Sequence, residues 1–345
     1  MNELDVLAIG TALVEMTPSK PGVDLVHADH YEALPSGATS NFCLALARLG
    51  VRVGLATRVG DDELGRWLLA RLSDLGVDTS LSRVVPGQFT PVSFCWMDQG
   101  GAKTFYFYRF PGHSDPMQEF GREPLTDDEL RRARLFDFSE ATIRSEPLRA
   151  ISLDLARRAK ALGLQVAYAM NYRPSQWQEP LEQVIAVQRE ALALADIALM
   201  NEEEAELVGR GRIPAASSPV SGPVSGPWGP DTSSALRASA VFGPSVAAIT
   251  AGAKGTTVIT PDLEEHIPAR PVEVRYDIGA GDTFHAGFIA ALLRGHDPVS
   301  AARLGSAAAA LRISRDADMR SLPTWEETEH AAHGDDEPTL EGAPL

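Results

Sequence analysis

Short apolar runs alternate along this chain with segments of helical periodicity, and that alternation restricts the fold more than any other feature. Residues 6–9, 51–59, 165–170, 197–200 and 247–250 read as strands, whereas 40–49, 151–162, 181–194 and 281–293 carry apolar residues at helical spacing. Glycines stand where helices should stop: Gly50 follows Leu49, and Gly295 follows Arg294. Strands that alternate with helices pair in parallel, since a parallel neighbour is reached only through a crossover. The expected fold class is therefore α/β, a doubly wound, mainly parallel sheet covered on both faces. Ligands of such sheets lie at the carboxyl ends of the strands. The polar clusters there are Asn171 with Arg173, Asn201 to Glu204, and Thr250 to Gly255.

One further junction carries more chemistry. Residues 276–288 read Tyr-Asp-Ile-Gly-Ala-Gly-Asp-Thr-Phe-His-Ala-Gly-Phe. Gly279, Ala280 and Gly281 can leave backbone N–H groups bare at the start of an apolar helix. Unpaired N–H groups and the helix dipole both favour negative charge. Asp282 sits at the same point, and a carboxylate there suits one job, taking a proton from a hydroxyl that attacks a phosphate. The plainer alternative is an Asp N-cap after a glycine turn.

Composition bounds the rest. A chain of 345 residues with 44% hydrophobic content can bury a sizeable core. A net charge of −16 argues against a nucleic-acid partner. No apolar run reaches the length of a membrane span, and Met-Asn-Glu-Leu-Asp lacks the basic start of a signal peptide. Cys43 and Cys95 lie in apolar segments and read as core residues of a cytoplasmic protein. Residues 1–324 are expected to form one domain. Within it, 211–233 is rich in Pro, Gly and Ser and is expected to be a mobile insertion. Residues 325–345, acidic without a balancing Lys or Arg, are expected to be a disordered tail. Segments 11–34 and 91–110 break the alternation and suggest a small β-lid over the carboxyl edge of the sheet. Its strand around Phe105 to Arg109 has apolar residues on both faces and needs cover, so a homodimer through the lid is expected.

Four more motifs bear on function. Asn201 and Glu204 are three apart, and an amide with a carboxylate can hold a hydrated Mg²⁺; acidic helix starts also simply complement the dipole. Thr250-Ala-Gly252-Ala-Lys254-Gly255 allows close backbone approach but is no Walker loop, since no Gly-Lys-Ser/Thr is present. Asn41, just after Gly37, can donate to and accept from hydroxyls. Arg173, ahead of Trp177, has the fork geometry for a phosphate or carboxylate.

The 276–288 string resembles the D-T-x-G-A-G-D-x-F signature of the ribokinase-like (PfkB) carbohydrate kinases, with Ile278 in place of Thr. The other motifs are similar to that family's in the same order, over about residues 4–323 apart from the insertion. The segment from Arg58 to Gly65 is similar to its G-x-D-x-x-G scaffold. The resemblance implies ATP, Mg²⁺ and phosphorylation of a sugar hydroxyl. It makes Asp282 the base and the N–H groups of Gly279, Ala280 and Gly281 the phosphoryl cradle. It assigns Mg²⁺ through water to Asn201 and Glu204, and the nucleotide to Thr250, Gly252, Gly255 and Ser306 with Asn201 and Glu204. Glu15, Gly37, Asn41, Arg109, Asn171 and Arg173 fall to the sugar, and Asp277 to a monovalent cation such as K⁺. The chain departs from the pattern at Glu15 (usually Asp), Ser36 (Gly), Ala169 (Asp), Ser306 (Asn) and Ala317-Asp318 (Gly-Ala). Phe107-Tyr108-Arg109 is similar to lids of 2-keto-3-deoxygluconate kinases, where the Arg meets a carboxylate. A ketohexose substrate, a nucleoside substrate and a non-catalytic sugar or nucleotide sensor on the same fold remain open.

Overall fold

The computed structural model describes residues 2–20, 22–97, 103–108, 115–210, 243–276, 278–316 and 319–333. Its central sheet runs β14 (Glu264–Ile267), β13 (Thr256–Ile259), β12 (Val246–Thr250), β11 (Ile197–Asn201), β10 (Gln165–Ala169), β9 (Leu135–Ser139), β1 (Val6–Ile9), β4 (Val53–Ala56). From β4 to β12 every pairing is parallel; β13 and β14 add on as antiparallel hairpins. Side chains of a strand alternate between faces, so β1 feeds two cores at once. Val6 and Ala8 join the core beneath α1 (Ala38–Arg48), α2 (Glu63–Asp74), α7 (Ala280–Leu293) and α8 (Pro298–Ile313). Leu7 and Ile9 join the opposite core, with α3 (Asp127–Leu130), α4 (Leu148–Ala161), α5 (Leu181–Leu194) and α6 (Glu202–Arg210). The expected two-faced α/β sheet is what forms.

Helices α7 and α8 approach closely because both carry glycine at the crossing. A Cβ on Gly287 would lie 2.9 Å from the Gly305 Cα, and one on Gly305 2.9 Å from the Phe284 carbonyl oxygen. That approach fixes the position of α7, whose first turn holds Asp282.

The two segments that broke the alternation form a second sheet, in the order β3 (Tyr31–Ser36), β2 (Leu13–Pro18), β7 (Val92–Met97), β8 (Lys103–Tyr108). Its edge strand β8 leaves Phe105, Tyr106, Phe107 and Tyr108 between 40% and 60% exposed, on both faces.

Two expectations need correction. The single strand over 51–59 is broken at Thr57: β4 ends at Ala56, and β5 (Arg58–Gly60) turns away to pair with β6 (Arg83–Val85). The buried Arg58 side chain drives the break, giving its N–H groups to the carbonyls of Thr57, Leu81 and Glu123. The tail does not begin at residue 325. Trp325–His333 is a helix, α9, and the Arg294 guanidinium sits 4.0 Å above the Trp325 ring. Glu327 is not merely a solvated acid. It accepts from the Thr324 N–H, donates its own N–H to the Thr324 hydroxyl, and pairs with Arg315 at 2.9 Å. The 211–233 insertion, and the tail beyond residue 333, lie outside the described residues.

Candidate active site

The floor of the site is the first turn of α7. Gly279 caps the helix in the left-handed region (φ 79°, ψ 10°), which glycine adopts without a Cβ penalty. The helix starts at Ala280, so Asp282 is its third residue and does not cap it: no side-chain cap bond is made. Its carboxylate instead accepts a 3.0 Å hydrogen bond from Asn41 Nδ2, in the first turn of α1, 241 residues away in sequence. Asn41 Oδ1 is buried and accepts nothing from the described residues. A buried acceptor left open beside a carboxylate calls for a donor from a ligand, such as a hydroxyl. Burial raises the Asp282 carboxyl above its ordinary range, against the pull of the Asn41 bond and the charges of Arg173, His285 and Arg312. His285, one turn on, stacks on Phe42 and faces Asp137 at 3.1 Å, both buried beneath the floor.

Asp282, Gly279, Asn41, Gly37, Glu15, Asn171 and Arg173 all line one cavity of about 360 Å³. Four separate stretches of chain thus converge at the carboxyl edge of the sheet. Glu15 projects from lid strand β2 and is 2% exposed. It accepts from the Ser36 hydroxyl at 2.9 Å and the Tyr276 hydroxyl at 3.1 Å, and burial raises its carboxyl. Ser36, a departure from the family pattern, is therefore the partner of a second departure, Glu15. Phe105, Phe107 and Tyr108 close the cavity from the lid. Asn171 takes φ 39°, the one non-glycine in the left-handed region among the described residues. Such strain persists where surrounding contacts over-determine it.

Sequence reasoning missed part of the wall to which Arg173 belongs. Arg144 lines the cavity beside Arg173. It is held by Glu140, a fully buried carboxylate just after β9, whose Oε2 accepts from Arg144 Nε at 2.7 Å. Glu140 Oε1 accepts from Trp177 Nε1 at 2.5 Å and from the Arg173 N–H at 3.4 Å. The available signal was the position of Ser-Glu-Ala-Thr-Ile-Arg directly after a strand, where polar clusters of this fold collect.

A second group lies outside that cavity. Asn201 ends β11 and Glu204 enters α6, and they bond reciprocally: Asn201 N–H to Glu204 Oε2, and Glu204 N–H to Asn201 Oδ1, each at 2.8 Å. This is a capping box in which Asn replaces Ser or Thr. Glu204 Oε1 accepts from the Tyr172 N–H at 2.6 Å, so the box also ties down the loop bearing Arg173. Burial holds the Glu204 carboxyl up to about 7. Each Glu204 oxygen thus already accepts one backbone N–H. Among the described residues no three His, Cys, Asp or Glu are grouped to hold a metal ion. The pair fits a hydrated ion met through water. Thr250 lies beside Asn201 in the β11–β12 register, and Thr256, opposite Thr250, has its hydroxyl 3.5 Å from that of Ser306. A Cβ on Gly252 or Gly281 would meet nothing within 4 Å, whereas one on Gly255 would meet the Ile267 carbonyl oxygen at 2.0 Å. Gly252 and Gly281 thus leave open space, and Gly255 serves the hairpin. Arg109, Asp277 and Ala317-Asp318 lie outside the described residues.

A doubly wound sheet, a β-lid and a carboxylate at a glycine-led helix start are the architecture of ribokinase-like sugar kinases. The chain belongs to the pfkB family of carbohydrate kinases, which it matches over residues 3–325. It is thereby a phosphotransferase acting on a sugar hydroxyl. It is 26% identical to a probable chloroplastic fructokinase-6 of Arabidopsis thaliana, over 94% of this chain and 82% of that protein. It is 25% identical to a 5-dehydro-2-deoxygluconokinase of Clostridium perfringens, over 94% of this chain and 91% of that protein. The crystal structure of a putative ribokinase II from E. coli in complex with ATP and Mg²⁺ superposes with a TM-score of 0.78 at 23% identity, covering 95% of this chain and 98% of that one.

Proposed function

We propose that the chain transfers the γ-phosphate of ATP to a hydroxyl of a sugar acid, 2-keto-3-deoxygluconate being the best candidate. The observation that carries the phosphotransfer reading is the Asp282 carboxylate, off its own helix cap, bonded by Asn41 and facing a cavity with an open buried acceptor. Asp282 takes the proton of the attacking hydroxyl, while Asn41 Oδ1 accepts from a neighbouring one. The N–H groups of Gly279, Ala280 and Gly281 face the transferring phosphoryl group. Thr250, Gly252 and Ser306 lie on the nucleotide side. Mg²⁺, met through water by Asn201 and Glu204, would neutralise phosphate charge when bound. The sugar-acid choice rests on cationic side chains in the sugar cavity and on the 5-dehydro-2-deoxygluconokinase relative. A second reading, a neutral ketohexose such as fructose, is favoured by the fructokinase relative.

The test is ATP consumption by the purified protein with 2-keto-3-deoxygluconate, 5-keto-2-deoxygluconate, fructose, tagatose and ribose. The reading requires highest kcat/KM with a sugar acid; higher values with a ketohexose would replace the substrate and keep the kinase. No turnover with any, alongside measurable binding, would favour a sensor. The aromatic edge of β8 suits a second copy of the lid, giving a homodimer. A monomer by sedimentation at micromolar concentration would count against it.

A further inference from the structure

We infer that Arg144 determines substrate specificity, forming with Arg173 a two-guanidinium site for the carboxylate of a sugar acid. The inference rests on the sugar-acid reading and gives it a residue that no sequence motif marks.

Five observations carry it. Arg144 and Arg173 line the same cavity as Asp282 and Asn41. They follow the carboxyl ends of adjacent strands, β9 and β10, and both meet Glu140, Arg144 through Nε and Arg173 through its backbone N–H. Arg144 spends Nε on Glu140 Oε2 and Nη1 on Gln176 Oε1 at 3.3 Å, which leaves Nη2 without a partner among the described residues. Among the described residues the Arg173 guanidinium makes one bond, from Nη1 to the Tyr172 carbonyl at 3.3 Å. One carboxylate, Glu140, pairs with Arg144 Nε, and among the described residues no carboxylate accepts a hydrogen bond from the Arg173 guanidinium. Glu140 already accepts three N–H donors, and Glu15 is shielded by Ser36 and Tyr276.

Two cationic forks with donors directed at no acceptor among the described residues make an anion site. Glu140 gives that site its rigidity. A single fully buried carboxylate fixes the Arg144 guanidinium, the Arg173 backbone and the Trp177 indole at once. Arg144 is thereby pre-ordered and loses little side-chain freedom on binding. A carboxylate docked here and a hydroxyl at Asp282 would sit at opposite ends of one small molecule, which is the layout of a sugar acid.

The anion could instead be the terminal phosphate of the nucleotide, so the experiment separates the two. Arg144→Gln alone strands the buried Glu140 charge and risks misfolding. The paired variant Glu140→Gln with Arg144→Gln removes both charges and keeps an acceptor for Trp177. Both are compared with wild type in two assays. The first measures kcat/KM for 2-keto-3-deoxygluconate and for fructose, with KM for ATP. The second measures thermal stabilisation by each sugar without nucleotide. The expected result is a fall of about ten- to a hundredfold in the acid-to-fructose ratio, the factor one charge-assisted hydrogen bond is worth, and loss of stabilisation by the acid without nucleotide. An unchanged ratio with a raised KM for ATP would assign Arg144 to the phosphate and overturn the inference. So would stabilisation by the acid that survives in the paired variant. A wild type that prefers fructose overturns both the inference and the sugar-acid reading, yet leaves the kinase standing. Absence of turnover with every sugar strikes the kinase reading alone, because the nucleotide-free assay still decides whether Arg144 binds the acid.

Discussion

The phosphoryl end and the sugar end of this site are built in opposite ways. At the proposed phosphoryl end the backbone N–H groups and one carboxylate lie within four consecutive residues, Gly279 to Asp282, held by the glycine-led start of one helix. At the sugar end Glu15, Asn41, Arg144 and Arg173 come from a lid strand, a helix and two loops, and buried partners hold Glu15 and Arg144 in place. The first end is local chemistry that needs only a helix start. The second exists only when the sheet, lid and helices have assembled. The joint between them is a single hydrogen bond, Asn41 to Asp282. On the proposed function, one end would serve any acceptor hydroxyl, while the other would select which molecule presents it.

Four measurements can break or sharpen that contrast. Asp282→Asn should lower kcat by ~10²–10⁴ with Tm almost unchanged, since the side chain makes no cap. Wild-type turnover in that variant would remove the phosphoryl end as the place of chemistry.

Glu204 supplies the next largest effect, on stability and with a defined sign. Its carboxyl is about 7 in the folded protein against 4.5 unfolded. The folded state thus holds the proton more tightly, and this contribution is complete below pH 4.5 and lost as pH rises through 7. Wild-type unfolding free energy should fall across that window by on the order of 3 kcal/mol. In Glu204→Gln the slope should flatten. Equal slopes in urea titrations of both proteins would show that Glu204 stays ionised.

Asn41→Ala cuts the joint. A loss of roughly tenfold in kcat/KM is expected from the missing charge-assisted bond. The bond favours the ionised Asp282, so its loss should also move the acid limb of the pH–rate profile to higher pH. An unmoved limb would mean that the two ends are not coupled through Asn41.

Gly281→Ala is the smallest and most diagnostic change. The new methyl meets no atom of the described residues within 4 Å and lies in a helix, so stability should rise by about 0.5–1 kcal/mol. KM for ATP should rise as well, because the methyl enters the space left for phosphate. A stabilised variant with unchanged KM for ATP would show that this open face is not the phosphate cradle.

Alternating strands and helices, the glycine-led helix start with its Asp, and the lid segments were all legible in the sequence, because each depends on side-chain period or on residues close together in the chain. Asp282, and Asn201 with Glu204, could be singled out for the same reason. Even there the sequence left the Asn201–Glu204 pair ambiguous between an ion site and a cap, and the capping box that forms answers part of that question. Other features were decided by tertiary structure alone. The break at Thr57 reflects where Arg58 finds carbonyls, and the helix at Trp325–His333 is anchored by Arg294 stacking on Trp325. The Asn41–Asp282 bond spans 241 residues, the Glu15–Tyr276 bond 261, and the Glu140–Trp177 bond 37. Burial is what gives those contacts their force. A carboxylate such as Glu140 becomes an anchor only when it is withdrawn from water and must be satisfied by whatever donors the fold brings to it. A sequence states which residues carry charge; the packing around them decides which charges are spent on structure and which are left for a ligand.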